Sequence, residues 1–96
     1  MRVKPNETVV QAQVVAIRPE PDGRGAEVDL RIISNESSTP GRDFLQPEPG
    51  SVLTAFSAEP EQVGVGTHVR AVLSLNAGPF GSRTVIRSAQ TTAPKP

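Results

Sequence analysis

The chain has 96 residues, ten bases against ten acids, no cysteine and three aromatic side chains, all phenylalanine. One domain with a small valine-rich core follows, of stability on the order of 5–10 kcal/mol. Disulfide frameworks, thiolate metal sites and thiol nucleophiles are excluded. Ten prolines and eight glycines interrupt the chain often, which suits several short strands and opposes long helices. The first seven residues carry no apolar signal region, and no apolar run approaches the ~20 residues a membrane span needs. The expectation is a cytoplasmic protein with no membrane segment. Residues 1–61 hold six bases against all ten acids, a balance of −4, and residues 62–96 hold four bases and no acid. Meeting of opposite charges across neighbouring strands is the expected use of that asymmetry.

In chain order, residues 1–7 read as a flexible lead. Thr8 to Arg18 is the first predicted strand. Gln11 and Gln13 mark an outer face, and the alternation then lapses at Val14, Val15, Ala16 and Ile17. That lapse fits a strand that bends and joins two sheets of a barrel. The stretch 19–25 contains Asp22-Gly23, a strong turn signal because glycine takes positive φ without a steric cost. Ala26 to Ser34 is the second strand, with Val28, Leu30 and Ile32 facing the core and Glu27, Asp29 and Arg31 facing out.

Residues 35–50 are long for a loop in a compact domain. They are expected to be mobile or to hold one helical turn at Arg42–Gln46 that docks Phe44 and Leu45. Ser51 to Ser57 is the third strand. Residues 58–66 form a linker, with a possible helical turn at Pro60–Val63. The fourth strand runs from Gly66 to Leu75, where Val69, Ala71, Leu73 and Leu75 alternate with Arg70, Val72 and Ser74. A turn over 76–81 and a fifth strand over 82–89, bringing Ile86 to the core, complete a hairpin. The end, 91–96, reads as a disordered polar tail.

Five strands, a long bent first one, and a Gly66-Thr-His-Val-Arg-Ala71 step opening the fourth resemble the OB-fold in layout. The resemblance covers residues 8–90 and implies an all-β, five-stranded Greek-key barrel with little or no helix. The usual helix between the third and fourth strands has room only at about 58–65. A narrower likeness joins Val52-Leu-Thr-Ala-Phe-Ser-Ala58 and Val63 to Leu73 to the small molybdate-binding OB-like barrels. The basic-polar stretch those proteins carry early in the first strand is missing here. Asn76 and Ala77 stand where their lysine would be sought.

The sequence carries no catalytic signature. His68 is the single histidine, and no serine sits in a Gly-x-Ser-x-Gly context. One histidine without cysteine does not make a transition-metal ligand set, so no metal is expected. Gly64-Val-Gly66 lacks the third glycine of a dinucleotide fingerprint, and no cofactor is expected. Glu27 and Asp29 share a strand face and are best read as cross-paired with arginine from a neighbouring strand.

The OB resemblance places ligands on the face of strands two and three and on the two hairpin loops. The candidate ligand-binding residues are therefore Arg18, Arg24, Arg31, Phe80 and Arg83. They would serve a non-enzymatic binding module with a protein partner, the favoured reading. The alternative is weak binding of single-stranded nucleic acid, with Phe80 stacking on a base and the arginines meeting phosphates. Three phenylalanines, no tryptophan or tyrosine and zero net charge weigh against that alternative.

Overall fold

The computed structural model describes residues 6–37, 41, 43, 45–59, 64–78 and 81–92. Five strands form: β1 (Thr8–Pro19), β2 (Ala26–Asn35), β3 (Val52–Ser57), β4 (His68–Gly78) and β5 (Gly81–Thr92). No α-helix occurs among the described residues. The sheet closes into a barrel in the order β1-β2-β3-β5-β4, with β4 returning to β1. β1 is the shared strand, pairing antiparallel with β4 through Thr8–Gln13 and with β2 from Val10 to Pro19. Closure between β3 and β5 is parallel and rests on one register pair, Phe56 with Val85. This is the all-β five-stranded barrel expected from the strand pattern.

Alternation sorts the side chains as the physics of a pleated sheet requires. Val10, Ala12, Val14, Val28, Leu30, Ile32, Ala55, Val69, Ala71 and Leu73 form one buried cluster, with Ile17, Leu45, Leu53, Ile86 and Ala89 packed against it. The expected core of Val28, Leu30, Ile32, Val69, Ala71, Leu73 and Ile86 is therefore present. Three bulges interrupt the alternation and bend the barrel. Val15 has no register partner between Val14↔Leu30 and Ala16↔Asp29, so the lapse of alternation there marks the bend in β1. Ile33 is skipped between Gln11↔Ser34 and Ala12↔Ile32, which turns this isoleucine outward. Arg87 is skipped between Val72↔Ser88 and Leu73↔Ile86, so Ile86 and Ala89, three apart, both face the core.

Several expected boundaries are corrected. The turn over 76–81 is far tighter, because Asn76, Ala77 and Gly78 pair with Arg83, Ser82 and Gly81. The ladder offsets the weak strand preference of Asn and Gly, and Gly81 supplies the positive φ of 121° needed at the turn. The fifth strand runs three residues beyond Ala89, since Gln90, Thr91 and Thr92 pair with Arg70, Val69 and His68. Polar side chains on an outer face do not prevent a backbone ladder. Phe44, Phe80, the helical turn placed over 60–63 and residues 93–96 lie outside the described residues, as does Arg42 of the other proposed turn.

The segment after β2 is anchored rather than loose at the points described. Asp43 is buried. Its carboxylate accepts hydrogen bonds from Thr8 Oγ1 at 2.6 Å, Asn35 Nδ2 at 2.7 Å and the Gln46 backbone N–H at 2.9 Å. Burial pushes the Asp43 carboxyl up, but the hydrogen bonds from Asn35, Thr8 and the backbone of Gln46 and Leu45 outweigh it, and the net shift is downward. The Glu36 N–H donates to the Val9 carbonyl, and the Val9 N–H donates to Ser37 Oγ, tying the same segment to β1. At the other end, the buried Asn6 side chain accepts from the Leu75 N–H and donates to the Leu75 carbonyl, continuing the β1–β4 ladder with an amide in place of backbone.

Candidate binding face

Of the five residues singled out from sequence, Arg18 and Arg31 lie on the outer surface of β1 and β2, Arg24 on the turn between them and Arg83 on β5. Arg18, near the end of β1, stands in register with Glu27 and grips Asp29 with two parallel hydrogen bonds of 2.6 and 2.9 Å. Thr54 on β3 donates to the same Asp29 at 2.7 Å. The Arg18 guanidinium, and after it the Thr54 hydroxyl, hold the Asp29 carboxyl down at about 2. Asp29 in turn raises Arg18 above its ordinary range. Such a fork is the strong form of a carboxylate pair because two donors match two acceptors in one plane.

Arg83 reaches this face from β5. It pairs with Glu20 of the β1–β2 turn and lies 3.8 Å from Glu27. Glu27 thus sits between Arg18, at 3.5 Å, and Arg83. The Arg83 guanidinium carbon also lies 4.1 Å from the centre of the Phe56 ring, a cation–π contact. The Phe56 ring lies against Gly25, where an added Cβ would fall 2.7 Å from the ring and 2.5 Å from the Ser57 carbonyl oxygen. With φ of 89° as well, position 25 admits only glycine without strain. The β1–β2 turn is thereby pressed onto the end of β3.

The structure therefore brings Arg18 and Arg83 into one network and leaves the other candidates apart from it. Arg24 is exposed on the β1–β2 turn, where its backbone N–H closes an Asp22 side-chain turn. Arg31 is exposed on β2, in register with Val52, without an ion pair among the described residues. Phe80 lies outside the described residues. Sequence reasoning passed over Phe56 and Glu20. The inward set of Leu53 and Ala55 puts Phe56 outward, which alternation could have signalled, but its meeting with Arg83 depends on the long-range β3–β5 contact. The cross-strand pairing expected of Asp29 is what forms.

Beside this face lies an apolar step. Val52 and Ile33 are about half exposed. Ile33 is two positions beyond Arg31 on β2, and Arg31 is the partner of Val52. The opposite flank is polar: His68 lies between Gln13 and Thr92 in the ladders, and Arg70 pairs with Glu36 at 3.2 Å. No carboxylate is hydrogen-bonded to His68, and no group of three or more His, Asp or Glu gathers as a metal site, among the described residues. The chain matches no protein-family model, no curated protein and no solved structure. What the geometry defines is a closed five-stranded mixed β-barrel with a charge-balanced face.

Proposed function

We propose that this barrel is of OB type and acts as a non-enzymatic module that binds a protein partner through the β2–β3 side. The strand order, the bent shared first strand and the parallel β3–β5 contact support the OB assignment. The observation that carries the functional reading is the engagement of Arg18 and Arg83 by Asp29, Glu20 and Glu27. Three carboxylates against two guanidiniums leave this part of the face without the positive charge on which phosphate binding depends. The guanidinium over Phe56 also occupies a ring face that a base would need. Val52 and Ile33, flanking Arg31, supply the mixture of exposed apolar surface and arginine that protein interfaces favour.

The test is a titration with a short labelled single-stranded oligonucleotide at low salt, where attraction is least screened. No binding at high micromolar protein is expected. Binding whose affinity falls with salt at a slope of about 0.7 per phosphate contact would overturn the reading and establish the nucleic-acid alternative.

A further inference from the structure

The closure of the barrel leaves part of one strand without a neighbour. β3 meets β5 at Phe56↔Val85 and ends at Ser57, while β5 continues to Thr92. On its other side β5 is paired with β4 along its whole length. From Arg87 to Thr92 the second edge of β5 therefore presents a row of backbone N–H and C=O groups with no strand against them among the described residues. Where β3 leaves the sheet, a cleft of about 120 Å³ opens between Ser57–Glu59 and Ile86–Ala89.

We propose that this β5 edge receives an extended, acidic segment of a partner protein as an added strand, with a carboxylate of that segment meeting Arg87. Only backbone in strand conformation matches the spacing of such an edge, which is the basis of recognition by strand addition. The charge follows from Arg87. This residue sits on the bulge, is exposed and has no acidic partner among the described residues. No Asp or Glu occurs anywhere in residues 62–96, so β5 itself carries bases and no acid, while Glu59 lies on the opposite wall of the cleft.

A second copy of the chain is the poorer occupant. A charged bulge is a device that discourages self-pairing of edges. Pairing β5 with β5 would set Arg87 of both copies on one short ladder. An acidic segment turns the same charge into an attraction. The inference rests on the protein-partner reading above and adds to the β2–β3 side a second contact, at the β5 edge, with the chemistry of the segment it takes.

The experiment uses the full chain, isotopically labelled, and two eight-residue peptides, one alternating valine with glutamate and the other valine with lysine. Addition of the acidic peptide should shift the amide signals of residues 86–92 and slow their exchange, and the basic peptide should leave them unchanged. Arg87→Glu should weaken the acidic peptide about tenfold and admit the basic one. Since Arg87 is exposed and outside the core, the variant should keep its melting temperature. No response of residues 86–92 at millimolar acidic peptide would overturn the inference. So would a response confined to Arg31, Ile33 and Val52, which would leave the protein-partner reading standing. Self-association that Arg87→Glu strengthens would replace the peptide by a second copy. Failure of the protein-partner reading itself shows separately, in the oligonucleotide titration.

Discussion

Two aspartates carry most of the polar specificity of this barrel, and they do so differently. Asp43 is buried with three donors aimed at it, so Asp43→Ala would leave the Thr8 hydroxyl, the Asn35 amide and the Gln46 N–H without their acceptor. A loss of about 1–3 kcal/mol is expected, read from urea denaturation, with faster amide exchange at Gln46. An unchanged midpoint would show that the anchor contributes nothing. Asp29 lies on the surface and acts through pH. Its carboxyl titrates at about 2 in the folded chain against 3.8 when unconstrained. A lowered folded value means that the stabilisation is complete above about pH 4 and is lost as pH falls toward 2. Asp43 shifts in the same direction and adds to the decline. Melting temperatures taken between pH 5 and pH 2 should therefore fall, and Asp29→Asn should flatten part of that fall. A parallel decline in the variant would remove Asp29 from the account.

At the scale of elements, β5 is the least buried strand. None of its residues is buried to the degree of the β2 core positions, and its last three residues are held by the ladder to β4. Ending the chain at Ala89 removes the partners of His68, Val69 and Arg70. It should cost about 1–3 kcal/mol and speed amide exchange at those three positions. Retention of full stability would mean that the ladder beyond Ala89 contributes nothing.

The same strand shows where sequence reading stops. The core face of β2 was legible, because Val28, Leu30 and Ile32 alternate with charge. The bend of β1 was legible as broken alternation at Val14 to Ile17. Gln90-Thr91-Thr92 was not, since nothing local reveals that the outer residues of β4 need a partner. The bulges at Ile33 and Arg87 were hidden for the same reason: a skipped residue is defined by the neighbouring strand. On the candidate face, Arg18 with Asp29 could be inferred from two adjacent strands. Phe56, Arg83 and Gly25 meet only after the barrel has closed.

For the molecule as a whole, the uneven charge along the chain is partly resolved by folding. Arg70 pairs with Glu36, and Arg83 with Glu20 and Glu27, so bases of the later part meet acids of the earlier part. Such exposed pairs are worth about 0–1 kcal/mol each, so they align the strands more than they stabilise them. Stability comes instead from the single buried cluster, to which four of the strands contribute fully buried side chains. Leu73→Ala should cost about 2–5 kcal/mol, since Leu73 is completely enclosed and leaves a cavity. With one core, the loss should appear as one cooperative transition shifted equally for near-terminal and central probes. Separate transitions for the β1–β2 and β4–β5 hairpins would show that the barrel is two cooperative units.

The single register pair between β3 and β5 has a consequence for how this protein ages in solution. A ring joined at one narrow clasp can unfasten there while every other ladder stays intact, at a cost well below that of complete unfolding. The unfastened form uncovers Leu53, Ala55 and Ile86 together with two strand margins, the combination from which aggregates grow. Shelf life would then follow the frequency of that partial opening rather than the melting temperature. A variant that tightens the clasp should keep longer without melting higher.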